Sequence, residues 1–248
     1  MSPFHYAYEQ PHSEILRELL EVSIKNVDIL DSQQKCPLHH ACEQGLLKMV
    51  SELLKGSPIT IDFLDSHQKS PLHHACEQGN VDIVKELLKV STNTIDNLDS
   101  QQKSPLHHAC EYGSLEVVRE LFKVSIKSID ELDSQQKSPL HHACEHGSLE
   151  LVRELFKVST KSIDVLDSQQ KSPFHYACEH GSLEVVWELM KGCKSCIDIQ
   201  VTDGHTPFYL ALNNDHWETV ELLLGYTSLS SIYWQYIWYG IVTFFPTK

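Results

Sequence analysis

Four octapeptides, beginning at Cys36, Ser70, Ser104 and Ser138, read Cys/Ser-Pro-Leu-His-His-Ala-Cys-Glu, and each gathers two histidines and a cysteine within four residues. Imidazole and thiolate are zinc ligands, so metal binding is the first chemistry to weigh. His73 and Cys76 stand at i and i+3 and would share one helical face. A structural zinc site needs four ligands at about 2.0–2.3 Å. Packed helices lie about 8–10 Å apart, too far for equivalent histidines of neighbouring units to hold one ion. No loop supplies a further His or Cys pair in every unit. The expectation is therefore structural histidines and no metal. Cys193-Lys194-Ser195-Cys196 is a second candidate, a CxxC that occurs once. A lone CxxC is weak, and loop variation is the preferred reading beside redox or metal chemistry. No nucleophile–base set, phosphate-cradling glycine loop or carboxylate pair stands out, so the sequence offers no catalytic residue, no cofactor and no case for an enzyme.

The elements that carry these residues repeat. Pro3, Pro37, Pro71, Pro105, Pro139, Pro173 and Pro207 stand 34 residues apart without a slip. The chain reads as seven units beginning at 2, 36, 70, 104, 138, 172 and 206, followed by a tail over 226–248. The units from Ser104 and Ser138 differ only at Tyr112/His146, Val117/Leu151, Ile126/Thr160 and Glu131/Val165, a mark of recent duplication. Within Ser70–Lys103, Ser70-Pro71 is an N-cap with Pro at the first helical position. The spacing predicts a short helix over Leu72–Gln78, broken at Gly79 where a turn needs positive φ. Val81, Val84, Leu87 and Leu88 predict a second, amphipathic helix ending near Lys89. A polar loop follows, Leu98-Asp99-Ser100-Gln101-Gln102-Lys103. Two short helices and a loop cannot close a core alone, whereas stacked copies can.

Ser/Thr-Pro-Leu-His-x-Ala, then Gly, then a Val-Val-x-x-Leu-Leu helix, resembles the ankyrin repeat over about 2–225. The resemblance implies an all-α solenoid of antiparallel helix pairs with projecting β-hairpin loops. It also implies that the first histidine of each motif, His5, His39, His73, His107, His141 and His175, bonds at the hairpin base. Tyr209 would be a polar replacement in the last copy. Cys76 and its equivalents stand where the family has a second Ala, as small buried groups. The second position, His40, His74, His108 and His142, alternates with Tyr6, Tyr176 and Leu210 and reads as packing tolerant of chemistry. One departure concerns the loop tip. Asp203-Gly204 is usual for the family, but five earlier tips read Ser-Gln-Gln-Lys or Ser-His-Gln-Lys. A Gln at positive φ costs on the order of 1 kcal/mol, so looser or different turns are expected there. The array also begins at Ser2 without a preceding hairpin or polar cap, which leaves either an exposed end or an upstream continuation.

Partners of this family commonly meet the hairpin tips and the exposed ends of the first helices, which form a concave face. Those ends read Glu9-Gln10, Glu43-Gln44, Glu77-Gln78, Glu111-Tyr112, Glu145-His146, Glu179-His180 and Asn213-Asn214. One reading is a solvated glutamate ladder balanced by Lys35, Lys69, Lys103, Lys137 and Lys171. The other is a groove for a basic or hydrogen-bonding peptide, with Tyr112, His146 and His180 adding contacts beyond charge. Protein recognition as a scaffold or adaptor is the expected function. The alternatives are a membrane-tethered protein and the regulatory arm of a longer enzyme or receptor.

The formal net charge of −14, without a basic run, argues against nucleic acid. No obligate oligomer is expected. Dispersed cysteines and a start without an apolar signal segment point to the cytoplasm. The tail stretch 232–245, IYWQYIWYGIVTFF, is short for a membrane span. It reads as a cap on the last unit, with interfacial membrane contact or an unstructured end as alternatives.

Overall fold

A computed structural model describes residues 30–193 and 195–225. The first unit therefore enters only at its end, and its His5, Tyr6, Glu9 and Gln10, like the whole tail, lie outside the described residues. Six helix pairs follow one another: α1 (Pro37–Glu43) and α2 (Leu47–Gly56), α3 (Pro71–Glu77) and α4 (Val81–Val90), α5 (Pro105–Glu111) and α6 (Leu115–Phe122). The remaining pairs are α7 (Pro139–His146) and α8 (Leu149–Phe156), α9 (Pro173–Glu179) and α10 (Leu183–Gly192), α11 (Pro207–Asn213) and α12 (Trp217–Leu224). Each odd-numbered helix packs on its partner and on the odd-numbered helices of adjacent pairs, and the even-numbered helices do likewise. The result is two parallel layers of helices, an α-solenoid.

The odd-numbered helices are seven or eight residues long, too short to persist alone in water. Their starts are fixed locally. In α3, Ser70 is extended at the N-cap, Pro71 is the first helical residue, and His73 completes a capping box normally closed by Glu or Gln. The helix begins one residue earlier than the spacing predicts, and Gly79 follows at φ +66°. In the last described pair Asp215 takes the same left-handed place at φ +60°. On α4 the buried stripe is Ile83, Val84 and Leu87, while Val81 and Leu88 are only partly covered. Ala75 and Cys76 are fully buried between stacked helices, and so are their equivalents in α1, α5, α7 and α9.

The projecting loops are tight turns, and no strand forms among the described residues. In each, the Asp N–H bonds the Lys carbonyl across the base (Asp99 to Lys103, 2.9 Å), and the tip Gln N–H bonds back to the Asp carbonyl. Successive tips are joined as well: the N–H groups of Ser66, Ser100, Ser134 and Ser168 reach Gln33, His67, Gln101 and Gln135 carbonyls at 2.8–2.9 Å. Gln34, Gln68, Gln102, Gln136 and Gln170 hold φ of +58° to +61°, in the place Gly204 occupies at +75°. The expectation of looser or different turns is thus corrected. Asp capping and tip-to-tip bonds hold glutamine in the glycine conformation.

Candidate protein-binding face

The first histidines are construction elements. Ser104 N–H donates to His107 Nδ1 at 3.1 Å, and the Ser104 hydroxyl lies 2.8 Å from the same nitrogen. Nδ1 is therefore the acceptor, and Nε2 carries the proton, donating to Glu131 O at 3.1 Å, in the segment that leads to the next repeat. His39, His73, His141 and His175 do the same toward the carbonyls of Lys69, Asn97, Lys171 and Ile199. All five rings are fully buried. Burial pushes the pKa of His73 down to about 3 and of His39, His107, His141 and His175 to about 4, so they are neutral. Tyr209 does not occupy this place; it is half exposed and stacks on His205 at 4.1 Å. Burial also pushes the thiols of Cys42, Cys76, Cys110, Cys144 and Cys178 up, away from thiolate chemistry.

The second histidines are not a tolerant packing position. His40, His74, His108 and His142 each place Nε2 2.9 Å from Oδ2 of Asp31, Asp65, Asp99 and Asp133. Tyr176 donates its hydroxyl to Asp167 at 2.6 Å in the same way. The other oxygen of each Asp accepts two backbone N–H groups of its turn, Gln101 and Lys103 for Asp99. In the last repeat the turn residue is Val201 and the helix residue Leu210, so acid and partner disappear together. This exchange is visible in the sequence only when repeats are compared pairwise. The rings of His74, His108, His142 and Tyr176 also meet the preceding repeat's first histidine edge-on, His73 against His108 at 5.8 Å.

Beyond the imidazoles stand the glutamates. His74 Nδ1 lies 3.3 Å from Glu77, and His108 Nδ1 lies 3.4 Å from Glu77 and 3.8 Å from Glu111, near enough for attraction without hydrogen-bond geometry. Burial opposes the charged form of His74, but Asp65 and Glu77 outweigh it and raise its pKa. Burial likewise opposes ionisation of Glu77 and Asp99, yet their His and Lys partners hold both pKa values down to about 2. Each described glutamate of this column, Glu43, Glu77, Glu111, Glu145 and Glu179, is paired with the lysine at its turn base. Lys35–Glu43, Lys103–Glu111, Lys137–Glu145 and Lys171–Glu179 close at 2.6–2.9 Å, and Lys69–Glu77 pairs in the same way. The ladder is therefore an alternating rail of Asp, His, Glu and Lys rather than a free acidic strip.

Gln78, Tyr112, His146 and His180 emerge beside this rail as an exposed column, Tyr112 with 54% of its surface free. The His146 ring lies so close over Gly113 that any Cβ there would collide with it, which fixes the imidazole against backbone. Between the fourth and fifth repeats a hollow of about 350 Å³ is lined by Lys103, Glu111, Lys137, His142, Glu145 and His146. It unites three expected contact residues, Glu111, Glu145 and His146; Glu77, Gln78, Tyr112, Glu179 and His180 flank it along the same column.

A family model described as ankyrin repeats (3 copies) matches residues 1–65, 59–130 and 120–200, and a single ankyrin-repeat model matches 203–231. The chain belongs to the ankyrin-repeat family. Its fold is similar to the ankyrin repeat domain of human ASB11, with a TM-score of 0.77 and 24% identity over 93% of this chain and 100% of that one. No curated protein matches the chain. Ankyrin repeats are protein-interaction modules, generally without catalytic activity. No described helix is long and apolar enough to cross a membrane.

Proposed function

We propose that residues 2–225 form a seven-repeat, non-catalytic scaffold or adaptor that recognises a protein segment on its concave, turn-side face. The carrying observation is the exposed column Gln78, Tyr112, His146 and His180. It occupies one structural position in successive repeats, varies while the adjoining glutamate does not, and borders the 350 Å³ hollow. Aromatic side chains with polar tips suit desolvated contacts. Because each glutamate already holds a lysine, charge alone gives little reason for a basic partner. An extended segment that hydrogen-bonds to the rail and packs on Tyr112 and His146 fits better. The net charge of −14 works against nucleic acid.

Affinity capture from native lysate tests this reading with three baits. Tyr112→Ala/His146→Ala/His180→Ala is expected to lose proteins held by the wild type. Glu116→Ala/Glu150→Ala/Glu184→Ala, exposed on the outer helices α6, α8 and α10, is expected to keep them. Full capture by the first variant, at an unchanged melting point, would exclude the turn-side face.

A further inference from the structure

Between the outer helix of one repeat and the turn of the next, the repeats from 104 and 138 build a small polar clamp of two serines. Ser125 and Ser128 both donate to the carboxylate of Asp96 in the preceding repeat, and Ser159 and Ser162 both donate to Asp130. One carboxylate receives both hydroxyls, so this loop conformation converges side chains three residues apart on a single point. Thirty-four residues on, the paired positions are Cys193 and Cys196. Their Cα atoms lie 5.7 Å apart, within the range a disulfide spans, and the two sulfurs are bonded. The six other cysteines are buried free thiols. The segment that follows is the joint to the last described repeat: its 3₁₀ turn, Ser195–Asp198, packs on α11, and Ile199 O accepts the His175 imidazole proton.

We propose that Cys193 and Cys196 form a dithiol–disulfide exchange site for low-molecular-weight thiols and disulfides, which sets how firmly the repeat from 206 is held on its neighbour. The balance is that of ordinary exchange. The Cys193 thiolate, at the less covered of the two sulfurs, attacks a small disulfide RSSR and expels RS⁻. The Cys196 thiolate then attacks the Cys193 sulfur of the mixed disulfide and expels the second RS⁻. Two electrons pass from the protein thiols to RSSR, and the two thiol protons end on two RSH. Reduction by 2 RSH runs the same steps backward. The reduced joint holds two thiols where neighbouring joints have hydroxyls, and a thiol is a weak donor to a carboxylate. Oxidation ties the two loop positions to each other covalently and so fixes the conformation of the segment that leads into Ser195–Asp198.

The full chain equilibrated with glutathione and glutathione disulfide, quenched with a maleimide and mapped by peptide mass, tests the proposal. Labels at Cys193 and Cys196 are expected to disappear and return together as the ratio is varied, while Cys144 and Cys178 do not pair. The oxidised protein is expected to melt several degrees above the reduced one. Cys193→Ser/Cys196→Ser, which restores the serines of the other joints, should show no redox dependence. Cys196→Ser alone should stop at the glutathione mixed disulfide on Cys193. Labelling of the two cysteines that ignores the ratio would overturn the exchange site. Equal melting of reduced and oxidised forms would overturn its coupling to the joint.

Discussion

At the residue scale, buried neutral histidines govern the acid response. The folded pKa values of the first column, about 3 to 4, lie below the unfolded value near 6.5. The unfolded chain therefore binds protons that the folded one refuses, and stability falls as pH drops from about 6.5 toward 4. Each such ring contributes up to about 1.4 kcal/mol per pH unit in that window. His74 acts in the opposite sense, because its raised pKa makes its contribution largest below the unfolded value and lost as pH rises through the folded one. Burial lowers the pKa of His40 as well, so six rings against one predict net acid lability, and urea midpoints at pH 7, 6 and 5 should decline steadily; a flat profile would contradict neutral burial. The Asp99–His108 pair gives a second test. His108→Leu alone leaves a buried carboxylate without its partner and should cost about 3 kcal/mol, whereas adding Asp99→Val, the pair found at Val201 and Leu210, should recover part of that loss.

At the scale of the element, local chemistry wrote most of the fold into the sequence. Ser-Pro starts, the Gly79 stop and the apolar stripe of α4 each follow from rules that act within a few residues, and each was legible. What was not legible joins residues across a turn or between repeats. Asp99 and His108 are nine residues apart, and neither end announces its partner within a single unit. The serine clamps were hidden for the same reason, whereas the CxxC at Cys193 and Cys196 was visible and reads as loop variation. The glutamine tips went the other way: intrinsic preference argued against the turn, and tip-to-tip bonding overrode it. Because that preference is opposed rather than abolished, Gln102→Gly should stabilise the protein by about 1 kcal/mol, read as a higher thermal midpoint. A lower midpoint would mean that the Gln102 side chain contributes more than its backbone costs.

At the scale of the whole molecule, the array separates construction from recognition. First histidines, buried cysteines and the Asp–His–Glu–Lys rail recur with little change, and they join each repeat to the next. The residue after each glutamate varies, and Gln78, Tyr112, His146 and His180 stand exposed there, His146 close over Gly113. That division was largely visible in the sequence: the variable column could be named, and the lysines expected to balance the acidic ladder do pair with its glutamates. The hollow between the fourth and fifth repeats was out of reach, since its walls come from both. The most direct test of the account is amide hydrogen exchange on the chain bound to a partner recovered by capture. Slowed exchange at the C-terminal ends of α5, α7 and α9 and in the turns before α5, α7 and α9 is the expected result. Protection confined to the outer helices α6, α8 and α10 would contradict it.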